Sequence, residues 1–195
     1  MPPQSPVKEA TERTMENLDQ YVDDLLKKEV KVTVDKKSGV VVIEKHPFDE
    51  SMSNSELRKI AKSWAKRKYN TPAPTPENPR NTKPMVRKNI EKNHDIEIES
   101  GGIGKTVRES RDVLTLYSLA ALPEMIEHMK FVGSEPPSEK WKKREPRALR
   151  AERYEVKVKI GENTYAAHFL IRVRKRGMKE VSTMEKFGYY NHYVE

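Results

Sequence analysis

Two β-rich runs, RYEVKVKI and TYAAHFLIRVR, follow one another between Arg153 and Arg174, joined by Gly161, Glu162 and Asn163. Apolar side chains recur at every second position, the period of a strand with one buried face, and the three-residue connection is of hairpin type. The alternation sends Tyr154, Val156, Val158 and Ile160 inward, with Tyr165, Ala167, Phe169, Ile171 and Val173 of the second run. The opposite face then carries Arg153, Lys157, Lys159, His168, Arg172 and Arg174, which reads as one coherent basic surface. An antiparallel sheet towards the C-terminus follows, and the other elements must be fitted to it.

Those elements begin as helices. Glu9 to Lys28 places Met15, Leu18, Val22, Leu25 and Leu26 at helical spacing, and Val30, Val32 and Val34 then alternate into a turn at Lys36 to Gly39 and a β-branched run. Ser53 with Glu56 three residues on forms a capping box, and the helix it opens carries Leu57, Ile60 and Trp64 on one side. Its other side is almost wholly lysine and arginine. Residues 71–84 are rich in proline and are expected to be an extended loop or linker. HDIEI reads as a short strand, the glycines after it as a turn, and LTLYSLAALPEMIEHM as the most apolar helix. Pro123 belongs at a kink or in the first turn of a new helical segment, because it has no backbone N–H to donate. KFVG is a strand, and SEPPSEKWKKREPRALR a basic loop. The fold class is α+β: N-terminal helices followed by a mainly antiparallel, twisted C-terminal sheet. Residues 1–52 form a helix-plus-hairpin extension and residues 53–195 the main domain.

The chain holds 38 Lys and Arg against 30 Asp and Glu, a formal charge of +8, so polyanions are the natural partners. There is no cysteine, and no pair of the five histidines has the spacing of a helical zinc motif; no metal or cofactor is expected. No run approaches the roughly 18 apolar residues of a membrane span, so no membrane partner and a cytoplasmic location are expected. GGIGKT lacks the upstream glycine of a phosphate-binding loop, because Glu99 stands there. Its glycines and Lys105 remain either a weak phosphate site or an ordinary strand-to-helix turn. The terminal FGYYNHYVE has strand-forming content, which puts Tyr190 and His192 on one face. His128 near a helix C-terminus reads as structural, whereas His168 and His192 are either surface groups or general acids and bases. Trp141, Tyr189 and Tyr190 offer stacking surfaces beside the basic face, the ingredients for single-stranded nucleic acid; a solvated face is the alternative.

The segments SELRKIAKSWAKRKY, IEIESGGIGKT, YSLAALPEMIEHMKFVG, YEVKVKIGENTYAAHFLIRV and YYNHYVE occur in this order. Over roughly residues 55 to 195 that order resembles the phage polyvalent-protein nuclease domains of the barnase, EndoU, colicin and RelE-like group. The resemblance implies a metal-independent, toxin-like endoribonuclease of phage or mobile-element origin, with RNA as substrate and an immunity or inhibitor protein as a further partner. By motif, Lys105 and Thr106 fall on the family's lysine-threonine turn and His192 on its terminal histidine, with Tyr190 as helper. The family's histidine after the turn is replaced by VRESRD, leaving Arg108 or Arg111 to substitute, and Asn191 stands where an acidic residue often precedes the terminal histidine. The residue pattern itself adds Lys157, Lys159, His168, Arg172 and Arg174 as phosphate-binding groups. Two other readings fit the same residues: a binding module that grips nucleic acid without cutting it, and a phage structural or interaction protein.

Overall fold

The computed structural model describes residues 17–189. Helix α1 (Leu18–Leu26) leads into the hairpin β1 (Lys31–Val34) and β2 (Val41–Lys45), then helix α2 (Asn54–Tyr69). The N-cap half of the capping box is formed: Ser53 Oγ accepts the Glu56 N–H at 3.4 Å. Strands β3 (Asn70–Pro72), β4 (Thr82–Asn89) and β5 (His94–Ile98) precede helix α3 (Ser100–Glu109). Helix α4 (Val113–Ser118), a 3₁₀ turn at Leu119–Ala121 and helix α5 (Leu122–His128) make up the apolar stretch, with Pro123 in the first turn of α5. Strand β6 (Lys130–Glu135), helix α6 (Glu139–Arg144) and strands β7 (Ala148–Ile160), β8 (Asn163–Arg176) and β9 (Lys179–Gly188) complete the fold.

The β7–β8 pair has the register its period demands: Tyr154 lies opposite Phe169, Val156 opposite Ala167 and Val158 opposite Tyr165. Asn163 pairs with Ile160, so the connection is the two residues Gly161 and Glu162 rather than three. Gly161 has φ 64°, the left-handed conformation glycine reaches without a steric penalty.

The sheet is not confined to the C-terminal part, as the sequence suggested. Nine strands run in the order β1-β2-β7-β8-β9-β5-β4-β3, with β6 on the same edge of β7 as β2. Two of its pairings, β2 with β7 and β5 with β9, are parallel. The architecture is α+β, and strands enter the sheet from every third of the described chain. Of residues 71–84, expected as an extended loop or linker, 73–81 are a loop, and the two ends are strand. Thr71 pairs with Lys83 across β3 and β4, and Ala73 N–H donates to Asn81 O at 2.8 Å to close the loop. Pro72 and Pro84 are tolerated because this is a sheet edge. Likewise the basic segment after β6 contains α6, whose N-cap Ser138 accepts the Trp141 N–H at 3.1 Å.

The inward face of the sheet meets α2, α4 and α5. Leu57, Ile60 and Trp64 of α2 are buried together with Met125, Tyr154, Phe169 and Phe187. Phe48 meets Trp64 edge-on at 5.3 Å, and Phe169 stacks on Phe187 at 5.0 Å. Val22, Leu25, Val41 and Ile43 belong to the same core, so α1 and the first hairpin are packed on the main body. Buried Asn89 fixes the end of β4: its amide donates to Ile126 O at 2.8 Å and Met129 O at 2.9 Å, and its oxygen accepts Lys92 N–H at 2.9 Å. Among the described residues no helix is long and apolar enough to cross a membrane.

Candidate functional site

GGIGKT is the body of α3, not a turn. The reason is tertiary: a Cβ on Gly102 would stand 2.1 Å from the Met184 carbonyl oxygen of β9, a separation no side chain tolerates. Glycine there lets the helix backbone lie against the strand. β5 pairs with β9 only at Ile96–Ser182 and Glu97–Thr183, and α3 continues along the same edge. Buried Thr106 accepts the Phe187 N–H at 3.2 Å, so its hydroxyl replaces a missing strand partner.

Lys105 points to the outer face of the sheet, where its ammonium pairs with Glu185. Arg172 reaches the same Glu185 Oε1 at 3.1 Å and lies 4.6 Å over the Trp141 ring. Glu185 is the extra residue of a bulge, because the register passes from Leu170–Lys186 to Ile171–Met184. Farther along, Arg174 is 3.6 Å from Glu99 and Arg176 is 3.0 Å from Glu97. Burial raises the Glu99 carboxyl above its ordinary pKa, with Arg174 pulling the other way. Burial lowers the Arg172 guanidinium, and Glu185 opposes that effect.

The other flank of α3 faces α2 across a cleft of about 460 Å³. Among the described residues six cations line it, namely Arg58, Lys59, Lys62, Lys66, Lys105 and Arg108, and no carboxylate does. Lys105 is turned to Glu185, and Arg58 donates to the Ser110 carbonyl. Among the described residues Lys59, Lys62, Lys66 and Arg108 have no acidic partner. Arg58, Lys62 and Lys66 are spaced four apart and so form one stripe of α2, although like charges at that spacing repel. Burial, and then the charge of Lys62, pushes the Lys66 ammonium below the ordinary lysine pKa.

The family model for large polyvalent protein-associated domain 3 matches residues 54–193. The chain belongs to that family. This membership supports the polyvalent-protein link and carries nothing about a nuclease of the barnase, EndoU, colicin and RelE-like group. No curated protein and no solved structure matches the chain.

In this polyvalent protein-associated domain the residues singled out from sequence fall in separate places. Lys105 and Arg172 converge on Glu185, with Arg174 beside them on Glu99. Arg108 lines the cleft, whereas Arg111 lines a smaller cavity of about 310 Å³ with Asp112, Lys186 and Tyr189. Lys157 and Lys159 are exposed on the outer face of β7, and His168 Nδ1 is 3.9 Å from Glu155 on the neighbouring strand. Tyr190 and His192 lie outside the described residues. The coherent basic face is corrected: register brings Glu97, Glu99 and Glu185 among the arginines, so the surface is laced with acid. Trp141 is covered by Arg172, and Tyr189 is buried with its hydroxyl 2.7 Å from Ser118 Oγ, so neither offers an open stacking face.

Arg58, Lys59, Lys62 and Lys66 were missed as a site. The basic side of α2 was visible in the sequence, but reading α3 as a turn hid the wall that makes a cleft of it. Among the described residues no group of three or more histidine and carboxylate side chains is placed to hold a metal ion.

Proposed function

We propose that the polyvalent protein-associated domain grips nucleic acid, RNA first among the candidates, through the cleft between α2 and α3. One observation carries the reading: among the described residues six cations line the cleft and no carboxylate does. Four of them lack an acidic partner among the described residues, so they keep their attraction for phosphate. Along α2 the stripe from Arg58 to Lys66 spans about 12 Å at 1.5 Å per residue, long enough to meet more than one phosphate. Four phosphate contacts would give a salt slope of about −2.8 on a single strand. The test is titration of the full chain with a short labelled single-stranded RNA between about 50 and 200 mM salt. Saturable binding that weakens with salt and is lost in Lys62→Glu/Lys66→Glu is expected. Salt-independent binding, or full binding by that variant, rejects the reading.

A second reading, metal-independent RNA cleavage, is favoured by the convergence of Lys105 and Arg172 on the bulged Glu185. A carboxylate flanked by two cations has the parts needed to move a proton and to stabilise a crowded phosphate. Incubating mixed single-stranded RNA and tRNA with the protein in excess EDTA decides it. Cleavage by wild type that is lost in His192→Ala and in Glu185→Gln is the expected result; intact RNA under saturating binding leaves the gripping module alone.

A further inference from the structure

Resting on the binding reading, we infer that the α2–α3 cleft recognises the phosphate backbone alone, whatever the bases, with one phosphate seated over Gly101 and Gly104 among Lys62, Lys66 and Arg108. Reading a base takes an aromatic ring to stack on, or an amide, carboxylate or free guanidinium to meet its edge. Among the described residues the cleft lining holds no aromatic, no amide and no carboxylate side chain. Arg58 is tied to the Ser110 carbonyl, and Arg108 is taken up by the seated phosphate, so among the described lining residues no guanidinium is left over for a base edge. Lysine ammonium groups attract phosphate with little geometric demand, so this chemistry selects charge spacing and not sequence.

The glycines supply the shape. Gly102 has a packing reason, the Met184 carbonyl, but a Cβ on Gly101 would meet nothing within 4 Å. A Cβ on Gly104 would meet only the flexible end of Lys66, at 3.6 Å, which is ordinary contact. Glycine is a poor helix former, and at these two positions no packing contact among the described residues asks for it. Both line the cation cleft, where a missing Cβ lets a phosphate group approach the helix backbone closely.

The experiment measures binding of the full chain to oligoadenylate, oligocytidylate and oligouridylate of equal length, for wild type, Gly101→Ala/Gly104→Ala and Lys62→Glu/Lys66→Glu. Homopolymer affinities within about threefold of one another are expected, because one bidentate base contact would separate them by more. The double alanine variant is expected to bind at least about fivefold more weakly while melting at a higher temperature, since alanine favours helix. A role of these glycines in packing would instead lower the melting temperature. Homopolymers that differ by more than about tenfold, or wild-type affinity in the double alanine variant, overturn the inference. If Lys62→Glu/Lys66→Glu still loses binding in that case, the binding reading survives without it; if that variant binds fully, the binding reading falls as well.

Discussion

The cleft between α2 and α3 and the outer face of the sheet are built from the same side chains and differ in what stands beside them. On the outer face Lys105, Arg172, Arg174 and Arg176 each meet a carboxylate from another element. In the cleft Lys59, Lys62, Lys66 and Arg108 meet none among the described residues. A paired cation presents a dipole whose field dies quickly, whereas an unpaired one acts over about 8 Å at physiological salt. The formal charge of +8 is therefore expressed unevenly: of the cations that alternation groups on one face, Arg153, Arg172 and Arg174 are compensated, whereas Lys157 and Lys159 stand exposed at its far end. Counting basic residues on a strand face does not locate a polyanion site, because the neighbouring strands choose the counter-charges.

The largest effect expected from this contrast is on binding. Lys62→Glu/Lys66→Glu should lower RNA affinity by about a hundredfold or more at low salt, roughly tenfold for each lost contact, and reduce the salt slope by about 1.4. Arg176→Gln removes a formal charge of the same sign but one held by Glu97 at 3.0 Å, so affinity should stay within about threefold of wild type. Equal losses in the two variants would break the comparison. Next in size is Glu185→Gln, which turns the compensated region into an uncompensated one. Lys105 and Arg172 would lose their shared partner in a half-buried setting, at a cost of about 1–2 kcal/mol once solvent screening is allowed for. Urea unfolding reads that loss, and unchanged stability would mean the cluster is solvated as thoroughly as an open surface.

What could be read from the sequence was local. The β7–β8 alternation, the Ser53 cap, the turn at Gly39 and the first-turn place of Pro123 depend on neighbours within a few residues, and the structure has them all. The parallel pairings of β2 with β7 and β5 with β9 join segments far apart in the chain, and nothing in either strand announces its partner. The proline-rich stretch was read correctly as a loop over 73–81 and missed only at its ends, because proline is excluded from central strands but accepted at an edge such as β3. Three glycines made α3 look like a turn, and its packing against Met184 overrode that propensity. The site suffered most from this last error. The lysine stripe of α2 was plain, but its cleft exists only because α3 is a helix.

Thr106 sharpens the same contrast from within α3, whose two flanks serve packing and the cleft. It was expected from motif to join the chemistry, yet its hydroxyl is buried and accepts the Phe187 N–H. Thr106→Val keeps the shape and strands that N–H, so stability should fall by about 1 kcal/mol or somewhat more, with RNA affinity within about twofold of wild type. Thr106→Ser should recover most of the loss. Wild-type stability together with lost RNA binding or cleavage would move Thr106 from the packing flank into the site.

The smallest expected effect is a pH dependence that only the cleft should show. Burial and the charge of Lys62 lower the pKa of Lys66 in the folded protein below its unfolded value. Between those two values the unfolded chain binds more protons than the folded one, so stability rises as pH rises through the folded pKa. A bound phosphate supplies the missing counter-charge and raises that pKa again, so binding takes up a proton and affinity must fall across the same interval. Folding stability and affinity should thus move in opposite directions with pH, a coupling the ion-paired arginines cannot produce because they do not titrate there. Oligoadenylate, whose bases do not titrate in alkali, is the suitable probe, compared at pH about 7 and about 10. Lys66→Met should flatten the Lys66 part of both profiles while leaving the protein at least as stable as wild type at neutral pH. Affinity that holds steady while stability climbs would mean that Lys66 is not at the phosphate, and the cleft would have to be redrawn around Lys59, Lys62 and Arg108.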